Sequence, residues 1–258
     1  MKILAIDTSS NNASVAILEN EEVLIELNND DEKTHSQKLM PMIDKIFKKS
    51  NLILDDISLI TCCVGPGSFT GLRIGIATAK AFADSKNIPV ASVNSLEGLA
   101  YNLQKEGIIC SCIDAKNGNT YLGLFELEKD KNSLLSIRKQ SLTFLNFKNK
   151  NNELSNQNLL EFLENNTTIE ISNRPIYFVG DGSIVYHDLI ASLELKNCNE
   201  ICFANSHESI ASSISIAKIG YTKYKNGDYG NSDILSPLYL RKSQAEIALE
   251  EKLRKDSI

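Results

Sequence analysis

The sequence predicts an α/β fold built on mixed sheets, in two halves. The first half reads as strands in a row followed by alternating helices and strands, the order of a mixed sheet with helices laid on it. The second half opens as the first does. A strand ending in Asp114 is followed by a turn and antiparallel strands, as a strand ending in Asp7 is at the start. This is weak internal symmetry rather than a short repeat. The 258 residues exceed a single ~150-residue domain. The division expected is 1–106, an N-terminal lobe; 107–236, a C-terminal lobe with an Asn-rich loop at 146–166; and 237–258, a C-terminal segment.

Residues 2–7 are apolar and β-branched, Thr8-Ser9-Ser10-Asn11-Asn12 makes a turn, and 13–18 and 23–27 follow as strands. After a polar loop, Thr34-His35-Ser36-Gln37 fits a capping box with Thr34 as N-cap, so a helix runs to about Ser50. Pro41 either kinks this helix or marks its true first turn. A buried strand at 57–64, a tight loop at 65–70, a helix at 71–85 and a strand at 89–93 come next. Asn94 with Glu97 forms a second capping box, opening a helix to about Lys105.

Residues 108–114 are a strand, and Asn117-Gly118 is a hairpin turn because both residues tolerate positive φ. Strands at 119–127 and 134–143 follow. Eight of the 21 residues at 146–166 are Asn, which reads as a solvated loop with one short helix at 158–164. A strand at 175–180, a turn at Asp181-Gly182, and helices at 183–193 and 209–225 complete the half. The last 15 residues, rich in charge, read as an exposed helix or frayed tail.

Charge and composition exclude several classes. Hydrophobic residues at 42% and charged residues at 23% exclude a wholly disordered chain, a collagen and a coiled-coil rod. With 27 basic against 33 acidic residues and a net charge of −6, neither half is a basic field. Such a chain is not expected to grip RNA or DNA well by itself, and a partner could supply that surface. No apolar run reaches the ~18–20 residues of a membrane span. Asp7 arrives too early for a signal-peptide core, so a cytoplasmic chain is expected. Cysteines 62, 63, 110, 112, 198 and 202 form no C-x-x-C pair and are expected to be buried reduced thiols. His35, His187 and His207 lie far apart, so neither a histidine-built metal site nor a Ser-His-Asp arrangement is legible.

Asp7-Thr8-Ser9 places an acid and hydroxyls at a strand end, where they can hold a phosphate or hydrated Mg²⁺, or simply bond their own turn. The run Gly65-Pro66-Gly67-Ser68-Phe69-Thr70-Gly71-Leu72-Arg73-Ile74-Gly75 matches neither G-x-x-x-x-G-K-[ST] nor G-x-G-x-x-G. In its helix, Gly71, Gly75, Ala79 and Ala83 recur every four residues as a ridge of minimal side chains, while Leu72, Ile76 and Phe82 line other faces. A helix apolar nearly all round is buried on more than one side, and the ridge admits a close second helix. Helix 34–50 is the expected neighbour, with a band of Leu39, Met40, Met42, Ile43, Ile46 and Phe47. The pair either offers a surface to a partner's helices or fills the chain's own core, and the residues alone leave this open. Asp114 and Gly180-Asp181-Gly182 place further acids at strand ends of the second half, where they can face Asp7 across a cleft as a nucleotide clamp does.

Ile6-Asp7-Thr8-Ser9, the run 65–75, Asp114-Ala115 through Tyr121, Gly180-Asp181-Gly182 and Pro237-Leu238-Tyr239-Leu240-Arg241 occur in this order. Together they resemble the bacterial TsaB family over residues 1 to about 246, most specifically at 65–75 and 239–243. The resemblance implies an actin-like ATPase fold (ASKHA, ribonuclease H-like) with two lobes. It implies a non-catalytic dimerisation or scaffold subunit in tRNA threonylcarbamoyladenosine synthesis, paired with the catalytic subunit TsaD. TsaD transfers threonylcarbamoyl to the adenosine beside the anticodon of ANN-reading tRNAs, and the ATPase TsaE completes the set. On this reading tRNA is met only through the complex, and the chain alone pairs with a second copy. The resemblance implies no catalytic residue, no metal and no cofactor of its own, with ATP or ADP in the complex. Asp7, Thr8, Ser9, Gly180, Asp181 and Gly182 would form a vestigial nucleotide site. His35, Leu39, Met42, Ile43, Ile46, Gly71, Arg73, Gly75, Ile76, Ala79 and Ala83 would meet the partner. Lys116 stands where family members often carry Arg. The alternative is an active small-molecule kinase or ATPase of the same fold, using Asp7, Asp114 and Asp181. A metalloprotease would need ligands that the sequence lacks.

Overall fold

The computed structural model describes residues 1–29, 35–129, 135–171, 173–196 and 198–241, and of His35 the backbone alone. Three consecutive strands, β1 (Lys2–Asp7), β2 (Ala13–Glu19) and β3 (Glu22–Asn29), form an antiparallel meander. β4 (Leu59–Cys63) lies parallel to β1, and β5 (Val90–Val93) parallel to β4, giving the order β3-β2-β1-β4-β5. Helices α1 (His35–Ser50) and α2 (Phe69–Lys86) make the crossovers to β4 and β5 and pack on one face of this sheet.

The second sheet repeats the plan. β6 (Gly107–Asp114), β7 (Asn119–Lys129) and β8 (Leu135–Asn146) are antiparallel, while β9 (Arg174–Val179) and β10 (Cys198–Phe203) run parallel to β6. The order β10-β9-β6-β7-β8, counted from its own first strand, has the same succession and directions as the first sheet. The hairpin turns at the expected Asn117 and Gly118, both at positive φ, and also takes in Lys116 at φ 65°.

Alternation along β1 sorts the cores. Leu4 and Ile6 face α1 and α2 and pack with Ile43, Ile46, Ile76 and Ala79. Ile3 and Ala5 face the other way, toward α3 (Ser95–Asn102) and α7 (Ser213–Lys225), in a core that also holds Ile109, Phe125 and Val179 of the second sheet. The outer face of the second sheet, with Cys110, Leu122 and Phe178, packs on α4 (Gln157–Glu164), α5 (Asp181–Val185) and α6 (His187–Ala191) through Leu159, Tyr186 and Ile190. The result is five layers, helix, sheet, helix, sheet, helix, with the middle helices shared by both sheets.

Some elements differ from expectation. α7 lies in the 107–236 stretch but packs across β1, β2, β4 and β5 of the first sheet. Gly220 makes this possible, because a Cβ there would strike the Thr61 side chain. The helix expected at 183–193 is broken at Tyr186, whose ring packs edge-on against Phe147 and whose hydroxyl donates to Asp114 Oδ1. β10 was not expected, since its side chains are half-exposed and show no clean alternation. Helix α3 stops at Asn102, whose side-chain amide donates to the carbonyls of Glu208 and Ile210. The Thr34 cap and the tail at 242–258 lie outside the described residues.

Candidate functional site

The end of β1 is knitted into the start of α2. Asp7, Thr8 and Ser9 are all buried. The Ser9 amide donates to Asp7 Oδ1 (2.8 Å), the Thr8 hydroxyl to the Gly71 carbonyl (2.7 Å), and the Ser68 amide to the Ser9 carbonyl (2.6 Å). Gly67 has φ 155°, and a Cβ there would overlap the Ser9 carbonyl, so the glycine loop serves a close backbone approach. Ser68 caps α2 by accepting from the Gly71 amide.

The end of β6 makes a second polar knot. Asp181 Oδ1 accepts from the Asp114 amide (3.1 Å). Gly180 (φ 104°) lies so close to the Cys112 carbonyl that a side chain would not fit there, and Gly182 is in tight contact with the Cys112 backbone. Asp114 accepts from Lys116 Nζ (2.7 Å), the Lys116 amide (2.9 Å) and the Tyr186 hydroxyl (3.0 Å). Burial alone would raise the Asp114 carboxyl, but the bonds from Lys116 and Tyr186 outweigh it and hold the group below its ordinary value. Asp181 goes the other way, because burial raises it more than its backbone bonds lower it. Burial, then the bond and charge of Asp114, pushes the Tyr186 phenol up to about 12.

Thr8, Ser9 and Asp114 are turned to partners within the chain rather than offered to a nucleotide phosphate. A phosphate or its Mg²⁺ needs open hydroxyls, amides and carboxylates. Here the Thr8 hydroxyl is turned into α2, the Ser9 amide into Asp7, and Asp114 is neutralised by Lys116. A cavity of about 340 Å³ lies elsewhere, between α3, α7 and β8, and none of its lining residues belongs to either knot. Among the described residues no cluster of three His, Cys, Asp or Glu is gathered for a metal. Cys62, Cys63, Cys110 and Cys112 are buried free thiols, whereas Cys198 and Cys202 are half-exposed, unlike the fully buried set expected. Burial, then the Asp7 charge, drives the Cys62 thiol far up, so it stays protonated. No described helix is long and apolar enough to cross a membrane.

The helix pair turns its expected partner residues inward. Leu39, Met42, Ile43, Ile46, Ile76, Ala79 and Ala83 pack in the chain's own core, and Gly71 and Gly75 are buried. The small ridge exists because α2 lies directly on the end of β1, where a Cβ at Gly75 would overlap Thr8 Oγ1. Those side chains therefore cannot supply an outer surface, and a charge at 75 or 79 would probe folding instead. Of the expected set, Arg73 is exposed. The outward faces carry Met40 (51% exposed), Phe69 (38%), and the exposed Ala77 and Ala81. The four-residue spacing of Arg73, Ala77 and Ala81 is visible in the sequence, but the inner ridge repeats with the same period and masks it.

Two sheets of one strand order, flanked by helices and sharing a middle layer, define the class of two-lobed proteins with the actin-like ATPase fold. A family model described as "TsaD: tRNA N6-adenosine threonylcarbamoyltransferase" matches residues 27–249. The tRNA threonylcarbamoyladenosine biosynthesis protein TsaB of Bacillus subtilis strain 168 is 32% identical over 249 residues, covering 95% of this chain and 96% of that protein. That of Escherichia coli K12 is 34% identical over 137 residues, covering 52% of this chain and 58% of that protein. The solved structure of YeaZ from Pseudomonas aeruginosa superposes with a TM-score of 0.70 at 20% identity, over 93% of this chain and 99% of that one. The chain belongs to the TsaB family.

Proposed function

We propose that this chain is the non-catalytic dimerisation subunit of a tRNA threonylcarbamoyladenosine synthesis complex, docked through the outward faces of α1 and α2 onto a TsaD-type transferase. The transferase carries threonylcarbamoyl to the adenosine beside the anticodon of ANN-reading tRNAs. One observation carries the reading. Thr8, Ser9 and Asp114, at the two strand ends where an enzyme of this fold would hold its nucleotide, are hydrogen-bonded within the chain. The helix pair meanwhile leaves apolar residues open on its outer side. On this reading the cofactor belongs to the complex, as ATP or ADP, with TsaE as its ATPase. The net charge of −6 agrees with tRNA being met through the partner. In the cytoplasm, without its partner, the chain would pair with a second copy through the same face.

The test is to co-purify the chain with a TsaD-type transferase and assay modified tRNA with and without it. Modification is expected only when both chains are present. Ala77→Glu, on the open side of α2, is expected to weaken pairing at least about tenfold while urea unfolding is unchanged. Mg²⁺-dependent ATP hydrolysis by the isolated chain, lost in Asp7→Ala, would instead support the kinase or ATPase alternative.

A further inference from the structure

We propose that residues 235–241 form a clasp that builds one corner of the docking face, with Tyr239 as its positioning residue; this rests on the partner reading above. The motif Pro237-Leu238-Tyr239-Leu240-Arg241 has no part in either polar knot. It is the end of a segment that leaves α7 and passes the β5 edge of the first sheet to reach α2. Gly230 exchanges both backbone hydrogen bonds with Val90 on the edge strand β5 (2.8 and 3.0 Å). Leu235 then sinks into the core beneath α2, 1% exposed. The Leu238 amide donates to the Val64 carbonyl (2.7 Å), at the mouth of the glycine loop. Gly65 holds φ 100°, a conformation L side chains rarely adopt, and its Cβ position would stand 3.3 Å from the Leu238 carbonyl.

Tyr239 stacks on Phe69, the first residue of α2, with ring centroids 4.3 Å apart and planes 13° from parallel. Arg73, one turn on, donates from Nε to Tyr239 Oη (3.1 Å) and holds its guanidinium carbon 4.5 Å from the Phe69 centroid. Arg241 crosses to the second sheet, 5.4 Å from the Phe144 ring centroid on β8. Two family motifs far apart in the chain, 65–75 and 237–241, are therefore one contact set.

The rings remain open to solvent, Phe69 at 38% and Tyr239 at 42%. Two aromatic rings and an arginine that fix one another are anchor chemistry for a protein interface. Their mutual stacking reduces the rotamer freedom lost on binding. They sit at the first turns of α2, continuous with exposed Ala77 and Ala81 one and two turns further on. The occupant is the TsaD-type transferase. Its family model matches residues 27–249, an interval that holds both helices and the clasp, so a partner from that family presents corresponding elements.

The experiment measures affinity for a purified TsaD-type transferase by calorimetry, with urea unfolding of each variant. Tyr239→Ala is expected to weaken binding about tenfold and to keep one unfolding transition. Tyr239→Phe, which retains the stack, is expected to stay within about threefold of the unaltered chain. If Tyr239→Ala loses cooperative unfolding, Phe69→Leu decides: about fivefold weaker binding supports the clasp, and unaltered binding overturns it. Tyr239→Ala that folds and binds normally overturns it directly. Ala77→Glu separates the two ideas. If it abolishes pairing while the ring variants bind normally, only the clasp falls. If it too pairs normally, the docking face itself is wrong and the clasp falls with it.

Discussion

Asp114 and Asp181 sit one hydrogen bond apart yet carry opposite shifts. Burial raises Asp181, whereas Lys116 and Tyr186 overcome burial at Asp114 and lower it. The signs give a pH test. A raised acid weakens the fold once it must ionise, so Asp181→Asn should be more stable than the unaltered chain at pH 7. That advantage should shrink as pH falls through the raised value and vanish below the ordinary carboxylate range. Asp114 contributes stability above the ordinary range, and loses it as pH falls through its lowered value. Asp114→Asn should therefore be weaker at pH 7, with the deficit closing in acid. Urea midpoints measured from pH 7 to pH 3 check both, and parallel curves for all three proteins would refute the assignment. The sequence placed both acids at strand ends. It did not reveal that they belong to one knot, because Lys116, Tyr186 and the glycines that bring Asp181 to Asp114 meet only when β9 lies beside β6.

Local devices were the most legible elements. The capping box of α3 forms as read: Asn94 Oδ1 accepts from the Glu97 amide (2.7 Å), and Glu97 Oε2 accepts from the Asn94 amide (3.1 Å). Its partners lie three residues apart, so nothing distant decides it. Glu97 also accepts from Lys223 Nζ (3.3 Å), which ties α3 to α7. Asn94→Ala should cost about 1 kcal/mol. Glu97→Ala should cost more, because it breaks the box and leaves Lys223 without its carboxylate. Equal unfolding midpoints for the two variants would refute the second role. The ridge of α2 shows the opposite case. Its four-residue period is plain, but a period does not say which way a face points. The outcome was set by Thr8, 67 residues upstream of Gly75 and just past the end of β1, closing over the position where a side chain would stand.

At the scale of the molecule, the middle core joins what the sequence presents as separate halves. Ile216 on α7 lies fully buried in it, beside Gly98 of α3, in a cluster that includes both sheets. Ile216→Ala should cost about 2–5 kcal/mol, and unfolding should remain a single transition when followed by circular dichroism and by amide exchange in each sheet. Two separated transitions would mean that the sheets fold as independent units. The sequence by itself determined the strand and turn succession of the first half and of the second up to β9, the α3 cap, the hairpin, and the family motifs, because these depend on neighbours a few residues apart. Only the tertiary structure decided that α7 serves the first sheet, that the glycine-alanine ridge faces inward, and that Tyr239 reaches Phe69 and Arg73. Each of these depends on surfaces distant in the chain that come within contact only after the two sheets have closed on their shared helices.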